Sequence, residues 1–276
     1  MTTQSEDRTG IVAALTTCLA RHDGFINALS QFGTPSSERF FSRIDFSMEA
    51  GTLDAFKADL QSNIDHFDLN VAIIPKDRPT KTLILVSKFD HCLADLLYRR
   101  RSGGLNVDIV GVVSNHEDAR HLSERNGATY HHVPVTKTNK PEAENRLRRI
   151  IEDTGAELII LARYMQILSD DFCSEFAGRI INIHHSFLPS FKGAKPYHKA
   201  YARGVKLIGA TAHYVTADLD EGPIIEQSVQ RVDHTMTPED LVRLGRDVEA
   251  LALARAVKAH TEHRAFINGV KTVVLP

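Results

Sequence analysis

From residue 82 onward the apolar positions come in short unbroken runs separated by amphipathic stretches. Residues 82–86 (TLILV), 107–113 (VDIVGVV), 129–133, 158–162 and 180–184 (IINIH) are too short for helices. Residues 82–86 are apolar on both faces, as a strand inside a parallel sheet must be, and the other runs follow at the same spacing. Residues 91–101, 118–126, 140–153 and 170–176 carry helical spacing between them. This alternation predicts an α/β fold with a doubly wound, mostly parallel sheet. Ligands of such sheets bind beyond the carboxyl ends of the strands, near the switch in strand order. Ser87, Arg163 and His184 stand at such ends. Residues 207–215 and 224–231 read as two further strands, antiparallel, around an acidic turn. Thr237-Pro238-Glu239 opens a long helix over 238–261.

The first 75 residues have a different rhythm. Ile11, Val12, Leu15, Cys18 and Leu19 mark a helix over 10–22, ended by Gly24. Residues 25–32 and 39–46 alternate as strands around a turn at 33–37. Residues 52–67 form an amphipathic helix, and 69–74 another strand. One strand before Gly10 would complete a β-α-β-β-α-β unit, the ferredoxin-like plan. Residues 1–6 are short and polar, so that first strand is expected to be truncated or weakly formed. The polar stretch 75–81 (PKDRPTK) reads as a linker. The chain thus divides into 1–75, a linker at 76–81, and 82–276.

At 276 residues and 42% hydrophobic content the chain can bury cores for two domains. A net charge of -2 gives no nucleic-acid footprint. Cys18, Cys92 and Cys173 are too few and too scattered for a disulfide framework or a zinc site, and read as small buried hydrophobes. No signal peptide and no apolar run of about 18 residues is visible, so a cytoplasmic protein with no membrane partner is expected.

The unusual chemistry lies in 180–223. Asn182 and His184 are two apart on a strand and share a face. An amide can donate to a developing oxyanion, and an imidazolium can stabilise the same oxygen or protonate a leaving amine. Asp220, in a tight turn closed by Gly222-Pro223, is the best carboxylate partner. His184, His185, His198 and His213 raise a metal reading. Adjacent strand residues point to opposite faces, so only one of His184 and His185 is expected to serve a given site. No tight ligand spacing is present, and no metal is expected.

Asn182-Ile183-His184, Ser186-Phe187-Leu188-Pro189, Lys192-Gly193, residues 211–215 and Leu219-Asp220-Glu221-Gly222-Pro223 together resemble the formyltransferase family that uses 10-formyltetrahydrofolate. The resemblance implies Asn182, His184 and Asp220 as the catalytic trio. Leu161-Ala162-Arg163-Tyr164-Met165-Gln166-Ile167-Leu168 resembles that family's pteridine-lining segment, and an apolar slot edged by backbone groups suits a flat heterocycle. Substrate-binding roles are thereby implied for Arg163, Met165, Gln166, Ile167, Leu168, Ser186, Lys195, His213, Leu219 and Gly222.

The acceptor is read elsewhere. Family members acting on glycinamide ribonucleotide carry a Gly-Asn-Gly-Ser-type phosphate loop after the first strand of this domain. Here Ser87-Lys88-Phe89-Asp90 lacks glycine, and Phe89 and Asp90 would crowd and repel a phosphate. Ser87 with His91-Cys92-Leu93, residues 182–189 and residues 192–198 closely resemble the formyltetrahydrofolate deformylase family. That resemblance implies a hydrolase releasing formate and tetrahydrofolate, with 10-formyltetrahydrofolate as substrate and no permanently bound cofactor. Water would be activated by Asp220, with Asn182 and His184 holding the oxyanion. The alternatives are formyl transfer to an unphosphorylated amine and a non-enzymatic folate or amino-acid sensor. Asp7-Arg8-Thr9-Gly10-Ile11-Val12 resembles the turn of ACT domains, with Thr9 where proline is usual. It implies Asp7, Arg8, Gly10 and Ile11 at a site for an effector such as glycine or methionine, and a homo-oligomer, dimer or tetramer.

Overall fold

A computed structural model describes residues 1–34, 38–188 and 196–276. Part of the turn expected at 33–37 and all of 189–195, with Lys192 and Lys195, lie outside the described residues. The chain forms two compact units. One is Met1–Arg78 with His263–Phe266 and Val273–Pro276; the other is Pro79–Glu262 with Ile267–Thr272.

The first unit runs β1 (Thr2–Glu6), α1 (Ile11–Arg21), β2 (Phe25–Thr34), β3 (Arg39–Ser47), α2 (Leu53–Phe67) and β4 (Asn70–Ala72). Its sheet order is β2-β3-β1-β4. Ile11, Leu15 and Leu19 of α1 pack with Phe56 and Leu60 of α2 over Phe40 and Ile44 of β3. The expected truncation of the first strand is corrected here. β1 is a five-residue strand paired antiparallel with both β3 and β4. Thr3 and Ser5 turn inward and are buried. Pairing along both edges, rather than apolar content, makes it a strand, so its polar composition misled the hydropathy pattern.

The second unit holds β5 (Thr80–Val86), α3 (His91–Arg101), β6 (Val107–Ser114), α4 (Arg120–Arg125), β7 (Tyr130–His132), α5 (Lys140–Thr154) and β8 (Leu158–Leu161). It continues through α6 (Asp170–Glu175), β9 (Ile180–His184), α7 (Pro196–Arg203), β10 (Leu207–Tyr214), β11 (Ile224–Arg231) and α8 (Pro238–Thr261). Sheet order is β11-β10-β9-β8-β5-β6-β7. The strands from β9 to β7 are parallel, and β10 and β11 are added antiparallel. The strand order reverses between β5 and β8, which places Ser87 and Arg163 at the switch point.

Two features differ from expectation. The stretch between His184 and the strand at 207–215, to which the sequence pattern assigns no helix, contains α7. The chain also ends in a hairpin, β12 (Ala265–Asn268) and β13 (Lys271–Val274), absent from the 82–276 division. Phe266 and Leu275 pack on Phe41 within the first unit, the two rings 5.6 Å apart. The start of α8 follows its sequence signal. Thr237 Oγ1 accepts from the Asp240 N–H, Asp240 accepts from the Thr237 N–H at 2.9 Å, and Pro238 takes the first helical position.

Candidate active site

A cavity of about 700 Å³ opens in the second unit beyond the carboxyl ends of β5, β8 and β9. One wall is fixed by Ser87. Its N–H donates to the Arg163 carbonyl at 3.2 Å, its hydroxyl donates to Asn115 at 2.7 Å, and it accepts the Met165 N–H at 2.9 Å. These bonds pin the segment after β8, where Arg163 adopts φ 64°. A non-glycine residue held in the left-handed region marks a backbone constrained by its surroundings. Met165, Gln166, Ile167 and Leu168 then line the cavity, and Leu219 lines it from the acidic turn. Met165 and Ile167 are more than half exposed, so they form an open apolar lip rather than core.

Asn182 and His184 reach this cavity from β9, and Asp220 reaches it from the turn between β10 and β11. His184 Nδ1 stands 3.1 Å from Asp220 Oδ1. His184 Nε2 is buried and has no hydrogen-bond partner among the described residues. Burial pushes the Asp220 carboxyl upward, but the two imidazoles beside it, His184 first and then His213, together outweigh burial and hold the group well below the ordinary carboxylate range. His213, paired antiparallel with Asn182 across β9 and β10, supports the amide. Its Nδ1 donates to the Tyr214 carbonyl at 2.9 Å. With the proton on Nδ1, Nε2 can accept from Asn182 Nδ2, 3.2 Å away. That bond leaves the second amide N–H of Asn182 for the cavity.

Several expected site residues are placed differently. Gly222 is not among the lining residues. A Cβ there would stand 1.7 Å from the Tyr214 carbonyl oxygen, so glycine serves close passage of the acidic turn over β10. Ser186 also lies behind the wall, buried, with its carbonyl accepting from Thr211 Oγ1 at 3.0 Å. Lys195 lies outside the described residues. Of the effector residues, Ile11 is core, Arg8 pairs with Glu6 at 3.0 Å, and Gly10 caps α1 at φ 101°. The Asp7 N–H donates to the Glu38 carbonyl at 2.7 Å. The alternation argument for His184 and His185 also fails. β9 ends at His184, the chain bends, and the two rings stack with centroids 5.1 Å apart.

Pattern reading missed a second polar group on the cavity wall. Glu249 of α8 is 1% exposed. His91 Nε2 lies 2.9 Å from its carboxylate, Tyr197 OH donates to it at 2.6 Å, and Arg163 Nε lies 3.3 Å away. Burial raises its pKa, and these partners bring it below the usual value. His91, Cys92 and Glu249 place ligand-type atoms close together. The adjacent guanidinium makes the group unsuited to a cation, and burial pushes the Cys92 thiol far up. The available signal was an acid on the apolar stripe of α8, in step with Leu241, Ala252 and Ala256.

Residues 80–257 match the family model described as Formyl transferase. The chain is 52% identical to the formyltetrahydrofolate deformylase of Corynebacterium sp. (strain P-1), covering 100% of this chain and 97% of that protein. It is 45% identical to that of Bacillus subtilis (strain 168), covering 97% and 90%. The solved formyltetrahydrofolate deformylase of Burkholderia mallei ATCC 23344 superposes with a TM-score of 0.95 at 51% identity, covering 99% of this chain and 97% of that one. The chain belongs to the formyltetrahydrofolate deformylase family. Every residue lining the cavity falls within the formyl transferase match. The deformylase family resemblance read from the sequence is thus the family of the whole chain.

Proposed function

We infer that the chain is a hydrolase that converts 10-formyltetrahydrofolate and water to formate and tetrahydrofolate. Family membership over the full length supports this reading. The observation that carries the site assignment is the convergence of Asn182, His184 and Asp220 on one cavity. The pteridine takes the apolar slot of residues 165–168 and Leu219, and the formyl group lies at the trio. In the reacting state His184 is an imidazolium held by Asp220 through Nδ1, with Nε2–H directed at the formyl oxygen. Asn182 supplies the second donor, and the two stabilise the oxyanion of the tetrahedral intermediate. Asp220 orders the attacking water. As the new C–O bond forms the water proton becomes strongly acidic, so even a weak carboxylate base can relay it towards N10. The C–N bond then breaks and the protonated amine leaves. Incubation with 10-formyltetrahydrofolate alone tests the reading: formate and tetrahydrofolate should appear in equal amounts without any amine, and release only with an added amine would overturn it.

We further propose that the first unit is ACT-like and that the protein assembles as a homo-oligomer through it. Its β-α-β-β-α-β order and β2-β3-β1-β4 sheet support the first part. β2 (FINALSQFGT) supports the second: it is a ten-residue edge strand with no charge, exposing Phe25, Leu29 and Phe32. Edge strands that stay unpaired usually carry charge or proline. A second copy of the same strand is the proposed partner. Binding of glycine or methionine by this unit is part of the proposal and is open to calorimetric titration. No helix among the described residues is long and apolar enough to cross a membrane, and the three cysteines are free and buried. Both are compatible with the proposed cytoplasmic setting.

A further inference from the structure

The hydrolysis derived above makes no use of Glu249 or its partners, yet they border the reacting histidine. Tyr197 donates to Glu249, its ring centroid lies 6.5 Å from that of His185, and His185 stacks on His184 at 5.1 Å. Four elements meet at this carboxylate: the first turn of α3 through His91, the end of β8 through Arg163, α7 through Tyr197, and α8 itself. Tyr197 is seated by design of the helix. A Cβ on Gly245, one turn before Glu249, would stand 2.1 Å from Tyr197 Cζ. Glycine within a helix is unfavourable relative to alanine, and the seat of the Tyr197 ring is what requires it.

We propose that Glu249, Tyr197, His91 and Arg163 form a closed polar wall that fills the approach to the formyl carbon and so restricts the acceptor to water. The proposal rests on the hydrolytic reading above. An amine acceptor needs room for its substituents and an acceptor group for its N–H bonds. Glu249 is a buried carboxylate on this wall; one oxygen already takes the Tyr197 hydroxyl, the other lies against His91 Nε2, and the Arg163 guanidinium stands beside it as an ion pair at 3.3 Å. The Tyr197 ring and the His185 ring occupy the adjacent volume. Water needs neither the room nor a free carboxylate. These four are specificity-determining and positioning residues: they act through the shape and saturation of the wall.

Hydroxylamine, a small strong nucleophile, is the probe. In hydrolysis the water oxygen bonds to the formyl carbon, the bond to N10 breaks, and N10 gains a proton. In diversion the hydroxylamine nitrogen forms the new bond and gives up a proton, N10 gains one, and the products are N-hydroxyformamide and tetrahydrofolate. The readout is the ratio of N-hydroxyformamide to formate after subtraction of the enzyme-free reaction, so it is independent of the folded fraction. The wild type should give formate alone as hydroxylamine is raised. Tyr197→Ala and Gly245→Ala should raise the ratio roughly tenfold or more, the scale on which one pocket change alters discrimination. Tyr197→Phe, which keeps the ring and removes the Glu249 bond, should raise it as well if the larger replacements give no folded enzyme. Diversion by the wild type in step with hydroxylamine overturns the proposal, as does a wild-type ratio in active Tyr197→Ala or, failing that, Tyr197→Phe. Failure of the hydrolytic reading looks different: the wild type alone would then release neither formate nor tetrahydrofolate.

Discussion

His184 Nδ1 stands 3.1 Å from Asp220 Oδ1, and Asp220 holds that position at φ 58°. Aspartate and asparagine tolerate this left-handed conformation better than other residues with a Cβ. Asp220→Asn should therefore keep the turn and remove only the charge. Its rate of formate release should fall about 100-fold or more, as should that of His184→Ala. Asn182→Ala removes one oxyanion donor and should cost roughly 100- to 1,000-fold in kcat. Three variants with near wild-type rates would remove the trio from the mechanism.

Gly222→Ala tests how the acidic turn is seated. The added methyl meets the Tyr214 carbonyl oxygen at 1.7 Å. That carbonyl is also the acceptor of His213 Nδ1, and His213 in turn holds Asn182. A shift of β10 at its bulge beside Ala212 and His213 would reach the oxyanion donor. The substitution should destabilise the second unit by about 1–3 kcal/mol or more, as overpacking does, and lower kcat with it. Urea unfolding and a steady-state assay on one preparation measure both.

His185 should make the second unit sensitive to mild acid. Burial, the Arg163 guanidinium and His184 lower its pKa to about 4, so the native ring is neutral where the unfolded one is charged. The unfolded chain binds more protons between about pH 6.5 and pH 4, so native stability falls as pH falls through that window. The full loss is about 3 kcal/mol. Replacement by Asn removes the titration. The wild-type urea midpoint should therefore drop more steeply than that of His185→Asn between pH 6.5 and pH 4.5, and parallel slopes would exclude His185 as the source.

Charge on β2 should separate the subunits. Phe25 and Phe32 are 71% and 45% exposed on the edge strand. A Phe25→Lys, Phe32→Lys variant should lose the oligomer in sedimentation velocity while keeping its fold by circular dichroism. An oligomer of unchanged size would place the subunit contact elsewhere.

Much of the second unit was legible because its signals are local. A buried parallel strand is apolar on both faces, and 82–86 says so within five residues, while 107–113 and 180–184 carry enough Val and Ile to be read with it. Asn182 and His184 share a face by strand period alone. β1 was less legible because its stability comes from β3 and β4, which pair with it across tens of residues. The His184–His185 stack was misread because strand alternation holds only while the strand continues, and it stops at His184.

By itself, then, the sequence determined the alternating α/β plan and the strand ends at which a site could form, because both depend on period. The grouping of Asn182, His184 and Asp220 came from the family resemblance that their motifs carry. Only the tertiary structure decided what those residues touch. Glu249 and His91 are 158 residues apart in the chain and 2.9 Å apart in the fold. Gly245 and Gly222 are ordinary glycines until Tyr197 and the Tyr214 carbonyl are packed against them. Such meetings arise from close packing of distant segments, which has no period along the chain.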